Sequence, residues 1–209
     1  MSMHELGSMR ESIHGQGLWN SGAPIMQSSF RYLAERLGTV IRTTDIRILP
    51  TIYRSQSASE LKFHNDSVDS RYIGWWCVTQ GDPPVPTRLL DITHVVDFLS
   101  REDGDLLAKL RLKSTAVPGR SASFAAVLQV CNRQSILNVH DDLERWYPEH
   151  QELWVRLRQA IEGAARQSSI CVQLQAGQCL FIDNHRFLHA RGELNPRSER
   201  WLKRLWIGA

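Results

Sequence analysis

The stretch GQCLFIDNHRFLHARGEL, residues 177–194, decides the fold that we expect for this chain. It holds two short apolar runs, CLFID and FLHAR, on either side of the turn-like sequence NHR. Such runs, bounded by turn residues, are typical of neighbouring β-strands, and the turn argues against one continuous helix. A third run, RWLKRLWI at 200–207, repeats with period two, so alternate residues share one face of a strand. The C-terminal part is therefore predicted to be a series of strands.

The rest of the chain predicts strands near both ends with helices between them. Short β-prone runs fill 39–92, and the proline-rich loop GDPPVPT interrupts them. Helical patterns lie at 24–38, 93–100, 103–113 and 141–167, and SFAAVLQV at 123–130 predicts a buried strand. We therefore expect a mostly β domain with peripheral helices (α+β), built as a barrel or sandwich.

The predicted domain boundaries follow from composition. Residues 1–21 are rich in Ser, Gly, His and Met without periodicity, so we expect a flexible leader there. The remainder, 22–209, is expected to form a single domain, because this length is sufficient for one sizeable core. Within it, the pattern around 141–167 indicates a helical insert.

Composition excludes several classes of protein. The chain has 209 residues, 42% of them hydrophobic, and a net charge of +3. No basic stripe with interleaved aromatic residues is present, so we expect no nucleic-acid partner. No apolar run has membrane-spanning length, so we expect no membrane association. The four cysteines show no C-x-x-C spacing, which favours reduced thiols and a cytoplasmic location.

A metal site is indicated by the sequence LKFHND at 61–66. His64 and Asp66 are two positions apart, so in a strand they point to the same face and can hold one cation. The best third ligand is His189, which follows the turn in the stretch quoted above. Two histidines and one carboxylate leave coordination positions open, an arrangement that suits Fe(II).

The other histidines fit a metal site less well. His185 precedes His189 by four residues, which places their Cα atoms about 13 Å apart on a strand, too far for both to bind one ion. His140 precedes two aspartates at the start of a predicted helix, where capping is expected. His94 and His150 are interpreted as surface or cap residues.

Four ordered motifs, FHND, PTRLLDI, GQCLFIDNHRFLHARGEL and ERWLKRLWI, resemble the taurine dioxygenase/clavaminate synthase-like family of Fe(II)/2-oxoglutarate-dependent oxygenases. The resemblance covers roughly residues 60–207. It implies a double-stranded β-helix (jelly roll) with helices outside. It also implies a 2-oxoglutarate-dependent non-haem iron dioxygenase that uses Fe(II), 2-oxoglutarate as cosubstrate and O₂.

The resemblance assigns His64, Asp66 and His189 as the iron ligands and the catalytic centre. Family members that halogenate replace this carboxylate with a small residue. Because Asp66 is present, the resemblance implies hydroxylation or desaturation.

The resemblance also assigns three residues to cosubstrate binding. Arg200 matches the arginine that holds the far carboxylate of 2-oxoglutarate, and its planar, permanent charge suits that task. Thr87 matches a threonine that assists it from an early strand. Arg204 lies four residues after Arg200 on the same strand face, where relatives place a second arginine toward cosubstrate or substrate.

The substrate class remains open at this stage. The resemblance favours an unactivated C–H of a small amino acid or amino-acid-derived metabolite, oxidised with release of succinate and CO₂. A peptide or protein side chain is an alternative, and so are a zinc-dependent hydrolase and a non-catalytic jelly-roll binding module. Only 63 residues precede His64, fewer than in amino-acid-oxidising relatives, so a homodimer or a large or carrier-borne substrate is also open.

Overall fold

The computed structural model describes residues 3–48, 56–113, 124–131, 134–140 and 143–208. The strands are β1 (Leu18–Asn20), β2 (Thr39–Arg47), β3 (Leu61–His64), β4 (Tyr72–Thr79), β5 (Thr87–Asp91), β6 (Arg111–Lys113), β7 (Phe124–Ala126), β8 (Leu128–Cys131), β9 (Gln134–Leu137), β10 (Ile170–Val172), β11 (Cys179–Asp183), β12 (Phe187–Arg191) and β13 (Trp201–Gly208). The helices are α1 (Met3–Gln16), α2 (Gln27–Leu37), α3 (Ile92–Val96), α4 (Arg101–Leu107), α5 (Leu143–Trp146) and α6 (Gln151–Ser168), with a 3₁₀ turn at Pro148–His150.

Two antiparallel sheets form the centre of the fold. One has the strand order β1-β11-β4-β13-β2, and the other has the order β10-β5-β12-β3. Apolar side chains from both sheets share one core, which contains Ile73, Trp75, Leu89, Phe187 and Leu202. Two sheets with one shared core between them give the jelly roll that the sequence predicts.

Strand β13 confirms the period-two pattern of the C-terminal sequence. Leu202 and Trp206 face the core between the sheets. Leu205 and Ile207 face outward and pack with α1 and α2 in a second apolar cluster. Both faces of the strand are buried because the helices cover the outer face of the five-stranded sheet.

The structure differs from the flexible leader that the sequence analysis expected for residues 1–21. Residues 3–16 form α1, and β1 pairs with β11 through Leu18 and Ile182. Leu6, Met9 and Ile13 are buried on the outer face of the sheet. Their spacing of three and four residues places them on one apolar face of the helix. Polar residues dominate the composition of this segment, so the apolar face was not evident from composition.

The middle of the chain departs from the predicted pattern in two places. The single buried strand expected at 123–130 is divided into β7 and β8, and Phe124 and Val130 are exposed. The helix expected at 103–113 ends at Leu107, and Arg111–Lys113 forms a strand that pairs with β7.

The region expected to be a helical insert contains α5, the 3₁₀ turn and α6. Leu153, Leu157 and Ile161 on α6 join a third apolar cluster with residues of β5 and β12. The helix α6 therefore covers the outer face of the four-stranded sheet. No helix in the described part of the chain has the length and apolar character needed to span a bilayer.

Candidate metal centre

The structure brings His64, Asp66 and His189 together. His64 is the last residue of β3 and lies directly across from His189 on β12, so their rings meet with centroids 4.3 Å apart. Asp66 follows two residues later. One ligand atom from each of the three lies within 4.8 Å of the other two, a separation that one metal ion can bridge.

The two imidazoles are prepared for ligation. His64 Nδ1 lies 2.7 Å from the carbonyl oxygen of Lys62, and a proton donated there leaves the Nε2 lone pair available to a metal. His189 is buried, and its Nδ1 has no hydrogen-bond partner among the residues that the structure describes. Burial and the neighbouring His64 lower the pKa of His189 to about 3. His189 is therefore neutral at pH 7, which is the protonation state that binds metals.

The carboxylate ligand is held by an arginine. Arg204 Nη1 donates to both oxygens of Asp66, at 2.9 and 3.1 Å, and Arg204 Nε donates to Thr44 Oγ1 at 3.2 Å. Burial is the largest single influence and raises the pKa of Asp66, but Arg204, His189, His64 and a hydrogen bond from Trp206 together outweigh it and lower this pKa below its ordinary value. The sequence analysis placed Arg204 toward cosubstrate or substrate, whereas its guanidinium contacts a predicted metal ligand.

Two buried asparagines position the backbone around Asp66. Asn184 Oδ1 accepts from the Asp66 backbone N–H at 3.1 Å, and Asn184 Nδ2 donates to the Ser70 carbonyl at 2.9 Å. Asn65 Nδ2 donates to the Asn184 carbonyl at 2.7 Å, and Asn65 Oδ1 accepts from the Val139 N–H at 2.8 Å. Neither asparagine stands out in the sequence, because asparagine in a turn is ordinary in any protein.

A small cavity of about 30 Å³ joins the two histidines to the residues assigned to the cosubstrate. Thr87, Arg200 and Arg204 line it together with His64 and His189. Thus five of the six predicted site residues line one cavity, and the sixth, Asp66, is hydrogen-bonded to Arg204.

Arg200 is the most prominent charge in this cavity. It is 4% exposed, and its Nε donates to Gln80 Oε1 at 3.2 Å. Among the residues that the structure describes, no carboxylate lies within ion-pair distance of Arg200. A buried charge without a counter-charge is costly, so this cavity suits an anionic ligand.

The arrangement fits a non-haem iron site. Two neutral imidazoles and one ionised carboxylate are the donor set of facial Fe(II) centres, which keep the remaining positions open. His185, which the sequence analysis rejected as a ligand, belongs to a separate cluster in which its Nδ1 lies 3.2 Å from Arg71 Nη1. The three residues that the structure brings together are therefore those predicted from the sequence, and their role as metal ligands stays a prediction.

Comparison with solved structures supports the fold assignment. An asparagine oxygenase in complex with Fe(II), 2S,3S-3-hydroxyasparagine and succinate aligns with a TM-score of 0.70 at 18% identity, over 98% of this chain and 78% of that chain. The non-haem iron oxygenase OrfP in complex with Fe, succinate and (3S)-hydroxy-L-Arg gives 0.71 at 17%, over 99% and 80%. PvcB from Pseudomonas aeruginosa gives 0.69 at 16%, over 98% and 80%. These likenesses confirm the jelly roll.

Comparison with protein families identifies the chain. A comparison with curated proteins finds no match. The model of the family described as "Taurine catabolism dioxygenase TauD, TfdA family" matches residues 49–206, which is more than half of the chain. The matched region contains all six predicted site residues. The chain therefore belongs to the TauD/TfdA family, and the enzyme class predicted from its sequence, a 2-oxoglutarate-dependent non-haem iron dioxygenase, is confirmed.

Proposed function

We propose that this dioxygenase hydroxylates, or desaturates, an unactivated C–H bond of a small amino acid or amino-acid-derived metabolite. The observation that carries the proposal is the position of the His64/Asp66/His189 trio and of the buried Arg200, which has no carboxylate partner among the described residues, beside one cavity. The substrate class is supported by the structural neighbours, since an asparagine oxygenase and OrfP have been solved with hydroxylated amino acids.

In this proposal each site residue has a defined task. His64, Asp66 and His189 hold Fe(II), and Arg200 with Thr87 binds the far carboxylate of 2-oxoglutarate. When bound, Fe(II), 2-oxoglutarate and O₂ together supply the oxidant for the substrate, with release of succinate and CO₂. The chain positions these partners and keeps bulk water away.

Arg204 has a supporting task at the carboxylate. Its guanidinium keeps Asp66 ionised and fixes the orientation of both carboxylate oxygens. A fixed, ionised carboxylate binds a metal without the cost of deprotonation or of reorientation. Arg204 therefore acts on the metal through Asp66, in addition to lining the cavity.

We place the substrate at a second cavity, which opens beside Asp66. It is lined by Asn65, Lys113, Asn138, His140 and Trp146, among others. The His140 ring stacks on the Trp146 indole with centroids 6.0 Å apart. A cation, amide groups and an aromatic wall suit the charged and apolar parts of an amino acid.

The test begins with metal and cosubstrate under anaerobic conditions. Fe(II) followed by 2-oxoglutarate is expected to give a visible metal-to-ligand charge-transfer band. His189→Ala should abolish the band, and His185→Ala, the matched control outside the trio, should keep it. A panel of L-amino acids is then screened for succinate release and for a product with one added oxygen. A wild-type protein that forms no band, or that oxidises only peptides, contradicts the proposal.

We also propose a cytoplasmic location, and the free thiols of Cys77, Cys171 and Cys179 support it. A homodimer remains a prediction that light scattering on the purified protein tests.

A further inference from the structure

Strand β12 directs a second arginine into the cavity that holds Arg200. Arg191 lies two residues after His189, so both side chains point to the same face of the sheet. It is 4% exposed and sits across from Thr87 in the pairing of β12 with β5. Arg191 therefore shares a wall with the threonine assigned to the cosubstrate.

The cavity holds more positive charge than the chain neutralises. Arg204 is paired with Asp66, but neither Arg191 nor Arg200 has a carboxylate partner within the described segments of the chain. Burial and the nearby charge of Arg191 lower the pKa of Arg200 to about 10, which shows that the two cations repel each other. An anion bound between them offsets both costs.

Hydrogen bonds to neutral carbonyl groups fix the orientation of the Arg191 guanidinium and leave its positive charge uncompensated. Nη1 donates to the Gly192 carbonyl at 2.9 Å, and Nη2 donates to the carbonyls of Ser57 and Ser59, both at 3.0 Å. Among its other donors, Nε is buried and has no hydrogen-bond partner in the described part of the chain. Three neutral acceptors thus fix the cation before any ligand arrives, which removes the cost of reorganisation on binding.

We propose that Arg191 is a second cationic anchor of the dicarboxylate pocket, which favours a 2-oxo acid with a far carboxylate over one that lacks it. This inference rests on the proposed function, because it takes 2-oxoglutarate as the anion. Arg200 grips the far carboxylate directly. Arg191 adds a fixed charge and a buried Nε–H group from the neighbouring sheet.

The test compares two ligands that differ at the far carboxylate. Dissociation constants for 2-oxoglutarate and for 2-oxopentanoate, which ends in a methyl group, are measured with Fe(II) under anaerobic conditions from the charge-transfer band. Arg191→Gln is expected to weaken 2-oxoglutarate binding about tenfold or more, as for loss of a buried charged contact. Its effect on 2-oxopentanoate should stay within about threefold, because that ligand lacks the group that Arg191 attracts.

Two further variants separate this role from a structural one. Arg88→Gln alters an arginine on the next strand whose guanidinium lies on the outer face, over Phe63, and it should change neither constant. Arg191→Lys keeps the charge and should keep most of the preference for 2-oxoglutarate, even if the glutamine variant fails to fold.

Three results would overturn the inference. Equal weakening of both ligands in Arg191→Gln would show that Arg191 only supports the fold. Unchanged constants for both ligands would show that Arg200 acts alone. A folded lysine variant that binds both acids alike would also contradict it. If the wild-type protein gave no charge-transfer band, the proposed function itself would fail, which is a distinguishable outcome.

Discussion

Nη1 of Arg204 donates to both carboxylate oxygens of Asp66, and less than a tenth of either side chain is exposed. A predicted metal ligand is thus hydrogen-bonded to an arginine that lies 138 positions later in the chain. Breaking a buried pair by removing one partner leaves an uncompensated charge. Because Arg204 lies on strand β13, the position of this strand influences the charge state of Asp66.

We expect Arg204→Met to weaken Fe(II) binding about 10- to 100-fold, in the range of other lost partners of metal ligands. Because Arg204 lowers the pKa of Asp66, its removal raises that pKa. The loss should therefore be larger at pH 6 than at pH 8. Fe(II) titrations at both pH values test this, with Lys203→Met as the control, since Lys203 pairs with Asp45 on the other face of the strand. A uniform loss at both pH values contradicts this account of the pair.

We expect Arg200→Ala to raise the dissociation constant for 2-oxoglutarate about 100-fold while Fe(II) binding alone stays within about threefold. The arginine contributes a charge-assisted hydrogen bond to the ligand and none to the metal trio. Anaerobic titration of each partner separates the two effects. A parallel loss of Fe(II) affinity argues against a role confined to the cosubstrate.

Asn184→Ala should lower both the free energy of unfolding, by about 1–3 kcal/mol, and the affinity for Fe(II), because it removes the acceptor for the Asp66 N–H. Asn138→Ala is the matched control. Asn138 is also buried and lines the cavity beside Asp66, but its Nδ2 donates to the Ala126 carbonyl and not to a residue of the trio. That variant should lose stability and keep its Fe(II) affinity. Urea unfolding and Fe(II) titration give the two readouts, and similar Fe(II) constants for both variants would refute the positioning role of Asn184.

The pKa of His189 predicts how the metal-free protein responds to acid. The unfolded chain protonates this imidazole near pH 6.5, whereas the folded protein does so near pH 3. Between these values the unfolded state binds more protons, so stability falls as the pH is lowered through 6.5.

Between pH 6.5 and pH 5, protonation of His189 in the unfolded chain should lower the free energy of unfolding of the wild type by about 2 kcal/mol, at about 1.4 kcal/mol per pH unit. His189→Gln should not show this part of the decrease. Urea unfolding at the two pH values measures it. His94→Gln, on an exposed part of α3, should leave the loss unchanged. If His189→Gln loses as much stability as the wild type over this range, His189 is protonated in the folded protein.

The sequence predicted the proximity of His64 to Asp66 and the faces of β13 from local spacing, and it added His189 to the trio through the family motif. Asp66 lies two residues beyond the end of β3 and still meets His64, and period two alone divides Leu202 from Leu205. The contacts of Asp66 with Asn184 and Arg204 could not be found in this way, since they depend on how distant strands pair. Helix α1 was missed for a different reason. Its apolar face has only a few residues, and their packing role can be recognised only once the sheet that they cover is known.

Strand β13 also fixes a distance that bears on the proposed cosubstrate. Hydrogen bonds to β4 on one edge and β2 on the other hold its register. Arg200 directly precedes the strand, so its Cα atom and that of Arg204 lie about 13 Å apart, at about 3.3 Å per residue of extended chain. In the proposed function, one guanidinium then lies at the far carboxylate of 2-oxoglutarate and the other at Asp66 in the metal trio. Dicarboxylates one carbon shorter or longer than 2-oxoglutarate are therefore expected to bind more weakly.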